Sequence, residues 1–257
     1  MNLKCPFHND TNASLSIKNN FYICYGCKKR GNTTFKFLSI NNFDNLFNKN
    51  TLFIARNNLL FKKNCWLNYL IKRNISFETL LKYNLGYANI DFKYNNKKKM
   101  LYNRLIFPIL NETGILIGIG LKSKQNKPKY INLLKFNFNK NELIYGIYEK
   151  KNNKFVIIVE GYFDLLTLYE NNIYNAISLL GSNINEYKLL FILKKFKEVF
   201  FCFDGDHSGY LGVLKLSFFK KKHKIKNLLF KCLPSKYDPD LYINKFGIKE
   251  FLNYLKI

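Results

Sequence analysis

Residues 154–164 read Lys-Phe-Val-Ile-Ile-Val-Glu-Gly-Tyr-Phe-Asp, and residues 199–206 read Val-Phe-Phe-Cys-Phe-Asp-Gly-Asp. Each is a short apolar run that ends abruptly in carboxylates. A run of this length, rich in β-branched and aromatic residues, has the signature of a strand buried on both faces. Working outward, Phe155 to Glu160 reads as a strand, Asp164 to Asn171 as a helix and Ala176 to Leu180 as a strand. Asn185 to Phe196 reads as a helix, Val199 to Asp204 as a strand, Ser208 to Lys222 as a helix and Asn227 to Leu233 as a strand. Strands alternating with helices predict a parallel α/β sheet, in which sites form beyond the carboxyl ends of the strands. Glu160 and Asp204 fall at such ends, and Asp238-Pro239-Asp240 follows the last strand.

The chain has 17 acidic residues against 42 basic ones, so six carboxylates at strand ends are a concentrated resource. Gathered carboxylates repel unless a cation neutralises them. Hard divalent ions prefer oxygen ligands, and a pair of them suits phosphoryl transfer. Gly161 and Gly205 leave room for close backbone approach beside the acids. Taken singly, Asp-Gly-Asp and Asp-Pro-Asp are equally good turn chemistry. Their common register with a parallel sheet favours a metal site.

At the other end, Cys5-Pro6-Phe7-His8 is followed fifteen residues later by Cys24-Tyr25-Gly26-Cys27. Two pairs with this bite match a tetrahedral structural zinc site, which supplies the folding energy that so short a segment lacks. Phe21, Tyr22 and Tyr25 serve either as the ribbon's small core or as stacking rings. Cys65, Cys202 and Cys232 have no sequence partners and are expected to be buried thiols.

Between these ends, residues 39–64 are Asn-rich and read as a linker with some helix. Trp66 to Tyr83 has helical spacing. The Lys97-Lys98-Lys99 run reads as a solvated loop, and Leu105 to Ile109 and Ile115 to Leu121 as strands around a turn. The expected organisation is a zinc ribbon over 1–38, a linker over 39–64, a basic subdomain over 65–150, and a metal-binding sheet with C-terminal helices over 151–257. A net charge of +25 suits a polyanionic partner, nucleic acid above all. Lys, Asn, Ile, Phe and Tyr all have A/T-rich codons, and base-composition drift competes as a source of the charge. No apolar run reaches the roughly 18 residues of a membrane span. The N-terminus lacks a signal-peptide stretch, so a cytoplasmic protein without membrane partners is expected.

These motifs resemble DnaG-type bacterial primases. The Cys5 to Cys27 ribbon is similar to their zinc-binding domain. Glu160-Gly161-Tyr162-Phe163-Asp164, Asp204-Gly205-Asp206 and Asp238-Pro239-Asp240 are similar to the Toprim signature that primases share with topoisomerases and some nucleases. Arg104-Leu105-Ile106-Phe107-Pro108-Ile109, Pro128-Lys129-Tyr130-Ile131-Asn132 and the Tyr145-Gly146 element resemble motifs found in primases in particular. The resemblance implies a primase that makes short RNA primers on single-stranded DNA for replication, as a DNA-directed RNA polymerase of the primosome.

In that reading Glu160, Asp204 and Asp206 are catalytic. With Asp238 and Asp240 they hold Mg²⁺ or Mn²⁺, two ions in all, supported by Asp164, Gly161 and Gly205. Cys5, His8, Cys24 and Cys27 hold one structural Zn²⁺. Arg104, Lys122, Lys129, Tyr130 and Asn132 meet template and incoming nucleotide. The partners are single-stranded DNA, ribonucleoside triphosphates, the RNA–DNA hybrid product and, in the family, the replicative helicase.

The departures are specific. Leu121-Lys122 stands where the family has Gly-Arg, which keeps the charge but loses bidentate recognition. Tyr237 stands where an acid often precedes Asp-Pro-Asp. The 87–103 segment is short. The chain stops after the catalytic region, without the family's helicase-docking domain. A decayed, non-catalytic single-stranded DNA-binding protein and another Toprim enzyme are the competing readings. The intact acidic positions oppose the first, and the zinc ribbon opposes the second.

Overall fold

The computed structural model describes residues 14–18, 21–28, 30–32, 38–39, 49–61, 64–94, 97–125, 127–135, 138, 143–148, 154–181 and 184–257. Its backbone divides into two compact units. One comprises Met1–Arg73, Leu80–Pro108 and Ile119–Leu133, and the other Asn74–Thr79, Ile109–Gly118 and Leu134–Ile257.

The first unit begins with strands β1 (Leu15–Lys18), β2 (Phe21–Cys24) and β3 (Arg30–Asn32), paired antiparallel in that order. Next come β4 (Leu38–Ser39) and helix α1 (Lys49–Phe61). Leu52, Ala55, Leu59 and Leu60 recur at threes, fours and ones on α1 and are buried, so this part of the 39–64 segment is a packed helix. Strand β5 (Gly86–Tyr94) lies so close that a Cβ on Gly86 would come within 2.8 Å of the Cβ of Ala55.

The helical spacing of 66–83 resolves into two helices, α2 (Cys65–Lys72) and α3 (Phe77–Lys82). Between them Asn74 takes a positive φ of 57°, a left-handed position that ends α2 and that Asn tolerates. The Oδ1 of Asn64 caps α2 by accepting from the N–H groups of Trp66 and Leu67.

Strands β6 (Lys97–Leu110), β7 (Leu116–Lys122) and β8 (Tyr130–Leu134) complete a five-stranded sheet in the order β4-β5-β6-β7-β8. The Lys97–Lys99 run, expected as a loop, is the start of β6 and pairs with Lys93 to Tyr94 and Phe92 of β5. Ladder hydrogen bonds override a lysine's weak dislike of strands when the hairpin continues past it.

The second unit carries the sheet anticipated from the alternating pattern. Strands β9 (Phe155–Val159), β10 (Ala176–Ser178), β11 (Glu198–Phe203) and β12 (Leu228–Cys232) stand in the order β10-β9-β11-β12, and every neighbouring pair is parallel. The connections are α4 (Tyr162–Glu170), α5 (Glu186–Lys195) and α6 (His207–Lys222). Helices α7 (Pro239–Phe246) and α8 (Ile248–Leu255) follow. Val156, Ile158, Ile177, Phe201, Phe203 and Leu216 belong to one buried cluster, which anchors the strands from which the acids project. Of the cysteines expected inside, Cys202 is buried and Cys232 half-buried. Cys65 is exposed, because it opens α2 on the helix face that turns away from Trp66 and Leu70. Among the described residues no helix is long and apolar enough to cross a membrane.

Candidate functional site

In the second unit, the carboxyl ends of β9 and β11 lie side by side at the centre of the sheet, which brings Glu160 and Asp204 together. The Asp204 N–H donates to Glu160 Oε1 at 3.0 Å. The Glu160 carbonyl is held from the other side by Ser178 Oγ at 2.9 Å and the Gly181 N–H at 3.0 Å.

The loops beyond β11 and β12 are clasped by their main chains. The Gly205 N–H donates to the Tyr237 carbonyl at 2.7 Å, and the Lys236 N–H to the Gly205 carbonyl at 2.9 Å. A Cβ on Gly205 would stand 1.9 Å from the Pro234 carbonyl oxygen, so only glycine fits. Glycine was expected to serve close backbone approach, and the backbone that approaches is the neighbouring loop.

Helices α4, α6 and α7 begin at this edge, and their first-turn N–H groups offset negative charge. Asp206 caps α6, its Oδ1 accepting from the Gly209 N–H at 2.8 Å. Asp238 caps α7, its Oδ1 accepting from the Leu241 N–H at 2.7 Å, with Pro239 at the first helical position. The turn chemistry anticipated for Asp-Gly-Asp and Asp-Pro-Asp is therefore present, as helix capping, in the same residues that contribute acidity. Asp164 sits deeper, with Oδ2 accepting from the Gly161 N–H at 2.8 Å and Oδ1 from the Asp240 N–H at 3.3 Å. Asp164 and Asp240 are both buried.

The electrostatics of this edge are strained in one direction. Burial first, then Asp164, Glu160, Asp238 and Asp206, push the Asp204 carboxyl well above the usual carboxylate range. Burial first, then Asp238 and Asp240, push Asp164 up against two backbone donors. Burial first, then Asp206, outweigh the Asp204 N–H and raise Glu160. These groups face one another closely enough that each disfavours its neighbour's charge. Asp204 Oδ1 is also buried, with no hydrogen-bond partner among the described residues.

Among the described residues no group of three or more His, Cys, Asp or Glu side chains is arranged to hold a metal ion. The acids at this edge offer oxygen atoms only, the donors that a hard cation takes.

Of the four zinc candidates, Cys5 and His8 lie outside the described residues. Cys24 ends β2 and is buried, and Cys27 closes the turn that follows. The Cys27 N–H donates to Cys24 Sγ at 3.3 Å, and the Ser14 hydroxyl stands 3.2 Å from the same sulfur. An N–H pointing at a cysteine sulfur stabilises thiolate, the form in which it binds metal. Tyr25 is exposed at the tip of this turn.

In the first unit the basic candidates lie on β6, on β7 and in the turn that leads into β8. Arg104 is 2% exposed and its Nη1 donates to the Pro128 carbonyl at 3.1 Å, which braces the turn leading into β8. Lys122 is also buried, with Nζ donating to the Tyr130 hydroxyl and lying 4.3 Å from the Tyr130 ring centroid. Lys129 and Tyr130 are exposed and Asn132 is half-buried.

Sequence reasoning did not bring Lys124 together with Trp66 and Tyr69. Lys124 Nζ stands 5.0 Å from the Trp66 ring centroid and 4.6 Å from that of Tyr69. It also missed Thr167 and Asn244, which contact Asp240. The signal for Asn244 is its i+4 spacing from Asp240 on a helix. Thr167, three residues after Asp164, carried none.

The parallel sheet with acids at its carboxyl edge is of the Toprim kind. Residues 2–60 match the CHC2 zinc finger family, residues 90–151 the N-terminal domain of the DNA primase catalytic core, and residues 154–228 the Toprim domain. In three successive segments the chain thus resembles DNA primases of the DnaG type.

Relatives include the DNA primase of Legionella pneumophila, 28% identical over 317 residues that cover 98% of this chain and 55% of that one. The DNA primase of Borreliella burgdorferi is 30% identical over 284 residues, covering 82% and 54%. The chain thus spans about half the length of the curated relatives it matches. The zinc-binding and RNA polymerase domains of Aquifex aeolicus primase superpose with a TM-score of 0.69 at 24% identity, over 98% of this chain and 77% of that one. A primase domain from Pseudomonas aeruginosa superposes at 0.71 and 22%, over 80% and 76%. A DnaG primase catalytic domain bound to single-stranded DNA superposes at 0.70 and 22%, over 80% and 78%.

Proposed function

We propose that the chain is a DNA primase: a DNA-directed RNA polymerase that joins ribonucleoside triphosphates into short RNA on a single-stranded DNA template. The observation that carries this reading is the meeting of Glu160 and Asp204 at the central strand ends, with Asp206, Asp238, Asp240 and Asp164 around them. Bound among these acids, Mg²⁺ or Mn²⁺ would supply charge neutralisation for the reacting phosphate and acidify the attacking 3′-hydroxyl.

The chain's own residues do the placing. Glu160 is fixed by the Asp204 N–H, Asp206 and Asp238 are fixed by the helices they cap, and Asp164 sets the start of α4 from behind. Bond formation joins the 3′-oxygen to the α-phosphorus and releases pyrophosphate. Lys129, Tyr130 and Asn132 of the β8 region would contact the template backbone and bases, with Lys122 and Arg104 behind them as supports. Lysine on phosphate and tyrosine on a base are the elements of single-strand binding. The relative bound to single-stranded DNA supports that partner. Cys5, His8, Cys24 and Cys27 would hold one structural zinc ion, in keeping with the CHC2 zinc finger match. Helicase as a partner rests on the family alone.

The test is primer synthesis by the purified chain on single-stranded DNA with labelled ribonucleotides and Mg²⁺ or Mn²⁺, beside Asp204→Ala. Short RNA from the native chain and none from the variant is the expected result. Template binding without product in any divalent ion would overturn the polymerase reading and favour a single-stranded DNA-binding protein.

A further inference from the structure

Asp240 is the most deeply enclosed of the proposed ligand carboxylates, at 3% exposed. Its Oδ1 accepts from Thr167 Oγ1 at 2.6 Å and from Asn244 Nδ2 at 2.9 Å. Thr167 lies on α4, one turn beyond Asp164, and is itself 3% exposed. Asn244 lies one turn beyond Asp240 on α7, and its Nδ2 also reaches the Asp240 carbonyl at 2.7 Å. The Asp240 N–H, in turn, points at Asp164 Oδ1. One oxygen of the carboxylate is therefore pinned from two helices, which fixes the plane of the whole group.

A tie between α4 and α7 does not call for an acid. An amide at 240 would accept the same two hydrogen bonds, so the tie alone does not account for a carboxyl group beside Asp164. The 2.6 Å contact from Thr167 is in the range of a hydroxyl bonded to a carboxylate. We propose that Thr167 and Asn244 are positioning residues of the metal site, holding the Asp240 carboxylate in the orientation in which it serves a divalent cation. This rests on the metal-dependent reading of the acidic edge. Partners of ligating carboxylates tune metal affinity without touching the ion.

The experiment is a Mn²⁺ titration of the zinc-loaded full chain, followed by electron paramagnetic resonance, for the native protein, Asp204→Ala, Thr167→Val, Thr167→Ser and Asn244→Ala. Valine matches threonine in shape and removes only the donor. Thr167→Val is expected to weaken Mn²⁺ binding by about tenfold, with Thr167→Ser restoring it to within about twofold of native. Asn244→Ala removes an exposed side chain and is expected to weaken binding in the same direction, so the test stands even if Thr167→Val fails to fold. Mn²⁺ binding that is lost in Asp204→Ala but unchanged in folded Thr167→Val and in Asn244→Ala would overturn this inference alone. Mn²⁺ binding indifferent to Asp204→Ala would overturn the metal reading and this inference with it.

Discussion

The Asp204 N–H donates to Glu160 Oε1 at 3.0 Å, so the acid that ends one central strand is held by the backbone that ends the next. The contact does not depend on a metal, and it ties the first catalytic candidate to the second. It also means that a change at 204 which spares the backbone alters charge without displacing Glu160.

Asp204→Asn is therefore expected to abolish primer synthesis while raising the melting temperature of the metal-free chain. The buried Asp204 carboxyl is costly to ionise among its acidic neighbours and must take up a proton on folding, a cost that asparagine does not carry, and the Glu160 contact survives. Mg²⁺ should raise the melting temperature of the native chain, since a ligand that binds only the folded state stabilises it, and should leave the variant nearly unmoved. Differential scanning calorimetry with and without Mg²⁺ checks both.

Gly205→Ala is expected to destabilise the chain by about 1–3 kcal/mol, because the new methyl group would overlap the Pro234 carbonyl. The loops must separate to admit it, which moves Asp206 and Asp238 apart. Chemical denaturation measures the stability. A primer assay below the variant's melting temperature should show a larger loss than the unfolded fraction explains.

Lys188 gives a pH dependence away from the acidic edge. It is 5% exposed, its Nζ donates to the Leu143 carbonyl at 3.0 Å, and burial lowers its pKa from 10.5 to about 8. Between those values the unfolded chain binds the extra proton, so this residue's contribution to stability rises with pH across that window and is flat below it. The difference in melting temperature between native and Lys188→Met should shift towards native from pH 8 to pH 10. A constant difference would contradict the burial cost.

Cys24→Ser should release zinc from the purified chain and unfold the ribbon while the parallel sheet keeps its own melting transition. Metal analysis and circular dichroism separate the two. A single transition lost altogether would show that the ribbon and the sheet fold as one unit.

Affinity for single-stranded DNA should fall steeply with salt, and Lys129→Ala should reduce the slope of log affinity against log salt by about 0.7. Fluorescence anisotropy across a salt series measures it. A flat native response would show that the charge of +25 does not serve template binding.

The second sheet was legible because its signal is binary: apolar runs of strand length, each ending in acid, with helical spacing between. Phe155–Val159 and Glu198–Phe203 fall within a residue of their expected bounds, because burial on both faces leaves no alternative for such runs. The first unit was harder. Trp66 to Tyr83 has one periodicity but two helices, since the break at Asn74 rests on a single left-handed residue that spacing does not reveal. Lys97–Lys99 is polar at every position, and only its hairpin partner makes it a strand.

At the acidic edge, the positions of the carboxylates followed from strand ends. Which carboxylates face front and which lie behind did not, because that depends on caps and on contacts between residues far apart, such as Thr167 with Asp240. Arg104 and Lys122 show the same limit: the resemblance set both against template and nucleotide, and the sequence did not reveal that each is buried and bonds a carbonyl or hydroxyl inside the fold.

The pair of main-chain hydrogen bonds between Gly205 and the Lys236–Tyr237 peptide has a consequence for how such a chain can change over generations. The distance between the second and third acidic loops is written in backbone atoms, and apart from Gly205 no particular side chain is needed to keep it. Codons at 235–237 can then drift with genome base composition, towards lysine and tyrosine for instance, while the acids on either side keep their spacing. A catalytic geometry insulated in this way can outlast a wholesale turnover of the residues that surround it.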